Sequence, residues 1–257
     1  MKRINEIVFD YGNTLLLDPF DEIIRKQSIK LRRILASEGY KTRWSRVKKV
    51  WIQVNKQVDF PFVSHFYQDE RIVKAALEGV GIEQRDSQRL TNRLLNQYRA
   101  GFRDILRDDK RRTEVSKTLG YLKKIGLKLA VLSNERQRVL DLSLRLYGIR
   151  DFFSLVLSSE KMRMEKPNPS AFNTLLEYLK SRASNTMYVG DDLIRDIIPA
   201  KGIGITTVLY IPPQKYRTET SWRNYRHIET EPDFTIKRFS ELKQLMPKFM
   251  SLCKADS

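Results

Sequence analysis

The residues of this chain best suited to chemistry are oxygen donors set where apolar runs give out, and one lysine ahead of a proline. Ile7-Val8-Phe9 leads straight into Asp10, and Gly12-Asn13 turns the backbone just beyond it. Val131-Leu132 runs into Ser133-Asn134. Glu165-Lys166-Pro167 stands ahead of a proline-started helix. Val189-Gly190 ends in Asp191-Asp192, with Asp196 one helical turn further on. A carboxylate at the mouth of a buried strand can serve as nucleophile or metal ligand. Acids gathered beside Asp10 would repel one another unless a divalent cation lay between them, and an oxygen-only donor set suits Mg²⁺. Lys166 offers an anion a cation together with backbone donors of the following helix. Each segment also has an ordinary reading, with Ser133 as a helix cap, Lys166 as a surface lysine and Asp191-Asp192 as a capped helix start. Their recurrence at several strand ends favours one shared site.

Such residues need a scaffold that brings strand ends together. Strands are predicted over 4–10, 127–132, 154–157, 187–189, 205–209 and 234–236. Between them lie helical patterns at Val115-Leu119-Leu122, Val139–Leu146, Ala171–Leu179, Ile194–Lys201 and Glu241–Leu245. Alternation of this kind indicates a parallel sheet with right-handed crossovers, an α/β, Rossmann-like core. Ligands of open α/β sheets bind at the C-terminal strand ends. From Phe20 to about Arg107 the pattern is helical only. Ile23, Ile24, Ile34 and Leu35 predict one helix, and Val47, Val50, Trp51 and Val54 another. Ile72, Val73, Ala76 and Leu77 start a further one that ends near Gly79–Gly81, and Leu90, Leu94, Leu95 and Tyr98 continue the series. The expected organisation is an α/β core of residues 1–16 and 112–257 with an all-helical domain, 17–111, inserted just after Asp10. Trp44, Trp51, Phe60, Phe62, Phe66 and Tyr67 are expected to pack as core of that insertion. Residues 211–230, with Pro212-Pro213 and many polar side chains, read as a loop.

Composition sets outer bounds. With 257 residues, 41% hydrophobic and 31% charged, the chain is globular and large enough for a substantial core. No apolar run approaches a membrane span, the N-terminal apolar stretch is cut by Asp10, and Cys253 has no partner cysteine. The expected setting is therefore cytoplasmic. A net charge of +17 favours anionic partners. The basic residues are spread along the chain, apart from Lys110-Arg111-Arg112 and the stretch from Lys41 to Lys49. A charge-dense, solvated surface is therefore expected rather than a nucleic-acid site, and no membrane partner.

With these segments in order, the chain resembles the haloacid dehalogenase-like hydrolases over essentially its whole length. That family's first motif, Asp-x-Asp-x-Thr, is similar to Asp10-Tyr11-Gly12-Asn13-Thr14. Its second corresponds to Ser133 with Asn134, its third to Lys166-Pro167, and its fourth to Gly190, Asp191, Asp192 and Asp196. The helical insertion corresponds to the family's cap domain. The resemblance implies a phosphatase or phosphotransferase in which Asp10 attacks a small phosphorylated substrate and forms an aspartyl-phosphate. It further implies Mg²⁺ on Asp10, Asp191 and the backbone carbonyl of Gly12. Thr14, Ser133, Asn134 and Lys166 would hold the phosphate, with Asp192 and Asp196 in the outer shell.

One position departs from the pattern. The family's phosphatases carry an acid/base Asp two residues after the nucleophile, where this chain has Gly12. General acid–base catalysis is worth roughly 10²–10⁴-fold. Its loss leaves three readings: a phosphatase with an unusual proton donor, a 2-haloacid dehalogenase (an enzyme type that also lacks that Asp), or a non-catalytic binder of anions. Glu135, Asp18, Asp21 and His65 are the nearest candidates to replace the acid, none with a spacing argument behind it.

Overall fold

The computed structural model describes residues 3–57, 70–214 and 230–250. His65, Phe60, Phe62, Phe66, Tyr67, Cys253 and most of the 211–230 segment fall outside the described residues. Strands Glu6–Phe9 (β1), Lys128–Ser133 (β2), Leu155–Ser158 (β3), Thr186–Gly190 (β4), Thr206–Tyr210 (β5) and Phe234–Ile236 (β6) build one parallel sheet in the order β3-β2-β1-β4-β5-β6. Every residue of β1, β4 and β5 is buried. Strands covered on both faces read as continuous apolar runs, which is how these were found in the sequence.

Successive side chains of β1 pack to opposite sides. Val8 joins Leu132, Tyr188, Ala171, Phe172 and Leu175 in one core layer. Phe9, next along, sets its ring 6.2 Å from Phe153 and 5.6 Å from Phe239. The strand order places β1 in the middle. The chain lays down β1, β2 and β3 in one direction, then returns to the other side of β1 for β4. Phe9 consequently pairs with Val131 on one flank and Val189 on the other. That reversal is the topological switch point where such sheets open a crevice.

The chain divides into two compact units, Met1–Leu17 with Lys110–Ser257, and Asp18–Asp109. The second is helical in its described residues: Phe20–Lys26 (α1), Ser28–Ser37 (α2), Trp44–Gln57 (α3), Glu70–Gly79 (α4) and Gln84–Asp108 (α5). Its core is aromatic. Trp51 is fully buried, with its ring centroid 6.3 Å from Phe20 and 6.0 Å from Tyr98. Trp44 is only half-buried. The single helix predicted from Ile23 to Leu35 is two helices. They meet at Gln27, where the backbone opens to φ −91° and ψ 1°. Its buried side chain accepts a 2.7 Å hydrogen bond from Gln97. It also presses so close to Gly101 that a Cβ there would lie 2.7 Å from Gln27 Cγ. A polar residue tied to another helix breaks the apolar period that suggested continuity. Among the described residues no helix is long and apolar enough to cross a membrane.

Candidate active site

The turn after β1 fixes Asp10. Its amide continues the ladder by donating to the Val189 carbonyl at 2.8 Å. The Tyr11 carbonyl then accepts from Leu15 N at 3.1 Å and Leu16 N at 3.0 Å, closing the loop. Asn13 takes the left-handed conformation, φ 54°, which asparagine tolerates better than most residues. The Thr14 carbonyl accepts from Arg111 Nη2 at 3.2 Å, while the buried Thr14 hydroxyl has no hydrogen-bond partner among the described residues. Gly12 is half-buried in this loop, bridged to Leu16.

Lys166 is held at both its backbone and its ammonium. Asn134, just past β2, clamps the backbone reciprocally: its Oδ1 accepts from Lys166 N at 2.9 Å and its Nδ2 donates to Lys166 O at 2.8 Å. Both ends of the Asn134 amide are therefore engaged. The helix that follows, Pro169–Leu179, is capped by Asn168, whose side chain accepts from Ser170 N at 2.9 Å. One backbone donor that the sequence reading offered to an anion is thus already used. The buried ammonium donates to three oxygens: Asp10 Oδ1 and Asp196 Oδ1, both at 2.6 Å, and Tyr188 Oη at 2.9 Å. Three N–H groups and three acceptors satisfy the lysine completely.

Tyr188 escaped the sequence reading. Its only signal there is a phenol inside the apolar strand Met187-Tyr188-Val189, since a buried hydroxyl needs a partner. It lies 3.1 Å from Asp196 Oδ1 and 3.3 Å from the Leu132 carbonyl, so it orients lysine and aspartate together. Burial and the nearby carboxylates raise its pKa well above the usual phenol value, leaving it neutral.

Carboxylate oxygens of Asp10, Asp191 and Asp196, all buried, lie within 4.8 Å of one another. Gly190 permits this approach. A Cβ at that position would lie 2.6 Å from Asp196 Cγ, so any larger residue would push the aspartate off the lysine. Burial pushes Asp196 up to about 7 against the pull of Lys166, and Asp10 adds to the rise. Burial, then Asp10, Asp196 and Asp192, hold Asp191 well above the ordinary carboxylate range. Burial opposes the charge on Lys166, yet Asp10 and Asp196 raise it well above a free lysine. Three acids around one cation leave excess negative charge in a desolvated place. No donor among the described residues meets the Asp191 carboxylate. An oxygen-only cluster of this size and charge fits a hard divalent cation.

The other sequence candidates divide. Ser133, at the end of β2, is buried and its hydroxyl has no partner among the described residues. Asp192 is a helix cap, accepting from Ile194 N and Arg195 N at 2.9 Å each and from Arg195 Nε at 3.1 Å. Glu135 accepts from the adjacent Arg136 N at 2.7 Å. Asp18 accepts from Phe20 N at 2.8 Å, and burial pushes its carboxyl up to about 6. Asp21 is exposed in the first turn of α1.

Removing the lysine's charge should be costly. Lys166→Met keeps an unbranched side chain of similar bulk but leaves three buried carboxylates without a cation. Breaking a buried pair in this way costs about 3–5 kcal/mol. Denaturant unfolding of the metal-free protein should show that loss. A change below about 1 kcal/mol would mean that the acids are already neutral.

Comparisons with known proteins bear on the family and the fold. A family model for haloacid dehalogenase-like hydrolase matches residues 68–210, more than half of the chain. Glyceraldehyde 3-phosphate phosphatase of Methanocaldococcus jannaschii is 27% identical over 246 residues, 95% of this chain and 97% of that protein. Ribulose-1,5-bisphosphate 5-phosphatase of Halopiger xanaduensis is 34% identical over 134 residues, 52% of this chain and 55% of that protein. This chain therefore matches only about half the length of the second relative. Among solved structures, a 2-haloacid dehalogenase from Pseudomonas syringae pv. Tomato DC3000 shares the fold, with a TM-score of 0.65 and 23% identity over 96% of this chain and 99% of that one. The matched family model, read with the parallel sheet and its strand-end motifs, shows that this chain belongs to the haloacid dehalogenase-like hydrolases.

Proposed function

We propose that the chain is a Mg²⁺-dependent phosphatase or phosphotransferase that works through an aspartyl-phosphate on Asp10. The observation that carries this reading is the Lys166 ammonium 2.6 Å from both Asp10 and Asp196, beside the unpartnered Asp191. An Asp10 oxygen forms the bond to phosphorus as the bond to the leaving oxygen breaks. Water then attacks phosphorus, releasing phosphate and restoring the carboxylate. Ser133 holds a phosphoryl oxygen, and Lys166, whose three N–H groups are engaged by Asp10, Asp196 and Tyr188, supplies positive charge beside it and exchanges one of those partners for a phosphoryl oxygen. Asn134 and Tyr188 act through the lysine, as does Asp196, and the Thr14 hydroxyl is a further donor from the loop. The cation would be held by Asp10, Asp191 and the Gly12 carbonyl, and when bound it supplies positive charge to neutralise the phosphoryl group.

Gly12 offers no proton to the leaving group, so phosphates of acidic alcohols are the favoured substrates. The relatives named for glyceraldehyde 3-phosphate and ribulose-1,5-bisphosphate support a small phosphorylated compound. The unit Asp18–Asp109 serves as the cap that selects it. Gly12 also favours a second reading, metal-free hydrolysis of 2-haloacids, against which the acidic cluster stands. Halide release without metal would establish that alternative.

Thermal unfolding tests the metal site directly. Raised acid pKa values mean that the protonated forms stabilise the fold. Without metal, stability should therefore fall as pH rises from about 4 through about 7, the interval between the ordinary carboxylate value and that of Asp196. The raised pKa of Lys166 contributes equally across that interval, because it is lost only above the ordinary lysine value. Mg²⁺ should accordingly stabilise more at about pH 8 than at about pH 5. Asp191→Ala should abolish that stabilisation. An undiminished shift in the variant would remove Asp191 from the site.

A further inference from the structure

One stretch of the helical unit concentrates positive charge. No Asp or Glu occurs from Gly39 to Val58, while Lys41, Arg43, Arg46, Lys48 and Lys49 fall together there. Elsewhere in the same unit cations meet acids: Lys26 with Glu22, Lys74 with Glu78, Arg89 and Arg93 with Glu38, and Arg107 with Asp104. The five basic residues at 41–49 form no ion pair among the described residues. Val47 and Trp51 bury the apolar face of α3, and Arg46 and Lys49 lie exposed on another. A merely solvated surface would be expected to intermix signs here as it does on the neighbouring helices.

These side chains also share a concavity. Lys41, Thr42, Arg43, Ser45, Arg46 and Lys49 line one cleft of about 540 Å³. Among the described residues its wall has four cations, two hydroxyls and no acidic group. Like charges brought within a Debye length of about 8 Å repel, and a bound anion relieves that repulsion. Arginine pairs with phosphate through two parallel hydrogen bonds, and hydroxyls add further donors. A phosphate group carries about −1.5 to −2 at neutral pH, so two of them balance four cations. The volume lies within the usual range for small-ligand sites, roughly 300–1,000 Å³.

We propose that this cleft binds a compact anion carrying two or more phosphate groups. The proposal stands on the charge and shape of the helical unit alone and is independent of the reading of the carboxylate cluster. Pyrophosphate is the probe, titrated calorimetrically into the full chain with a chelator present, so that no metal-dependent turnover intervenes.

The wild type should bind pyrophosphate more tightly than orthophosphate, with affinity falling as salt rises. Replacing three of the cations, Arg43→Ser with Arg46→Ser and Lys49→Ser, should weaken binding by about tenfold or more. Arg43→Lys with Arg46→Lys, which keeps the charge but loses the paired hydrogen bonds, should weaken binding less than the triple variant does, and Ser133→Ala should leave it unchanged. A melting curve checks that each variant is folded, and Lys41→Gln with Lys49→Gln is the milder substitute should the triple variant unfold. The proposal is overturned if the neutralised variants bind like the wild type, or if Ser133→Ala removes binding and so places the anion at the sheet edge. Binding of an RNA oligonucleotide without binding of pyrophosphate would overturn it as well.

Discussion

Asp10→Asn is expected to lower Mg²⁺-dependent hydrolysis of an aryl phosphate by a factor on the order of 10⁴ or more, because the amide cannot form the phosphoryl–enzyme bond. Loss of activity alone would not identify a nucleophile, since a damaged fold gives the same result. Here the two separate. Asparagine is nearly isosteric, and its amide oxygen can still accept from Lys166 Nζ, which lies 2.6 Å from the native carboxylate. The change also removes one of the negative charges that hold Asp191 and Asp196 above their ordinary range. The metal-free variant should therefore unfold no more readily than the wild type. An inactive variant that keeps its melting temperature is the expected result. Activity within about tenfold of the wild type would end the nucleophile assignment.

Gly12→Asp is expected to act in the opposite direction. A carboxyl two residues beyond the nucleophile would supply the missing proton to the leaving oxygen and later accept one from water, a contribution of roughly 10²–10⁴-fold. The backbone can accept the side chain, because Gly12 is not among the described glycines with positive φ. The gain should depend on the leaving group. Alkyl phosphates, whose alkoxides need the proton, should gain most, and aryl phosphates least. Equal rates for both proteins on an alkyl phosphate would mean that another group already donates the proton. Activity that arises only in the variant would mean that the natural chain binds anions without turning them over.

Much of the architecture was legible because its signals are local. Continuous apolar runs alternating with helical periods specify a parallel sheet, and helical spacing on either side of Pro61 sets residues 20–107 apart from it. Trp51 falls in the core as its spacing required, since amphipathic period and burial are the same fact seen twice. The family motifs at Asp10, Ser133 and Asp191 likewise stand at strand ends that can be read one at a time, whereas Lys166 lies eight residues past β3, beyond the short helix Ser159–Met162. Other features have no local trace. Asn134 looks like a phosphate ligand in sequence but has both ends of its amide on the Lys166 backbone. Asp192, equal to Asp191 in type and nearly in place, turns back to cap its own helix. Tyr188 gains its part only because its strand sits beside β1 and directs the phenol at a lysine 22 residues earlier.

Residue types and spacing thus determined which groups were available and, for Asp10, Ser133 and Asp191, at which strand ends they stand. Tertiary structure decided which of them meet, because Asp10 and Lys166 are 156 positions apart and are joined only when the strand order reverses around β1. Burial then decided what the cluster is chemically. Burial and mutual charge shift the proton affinities of Asp191, Asp196 and Lys166, and that shift depends on depth and distance, which no linear pattern encodes.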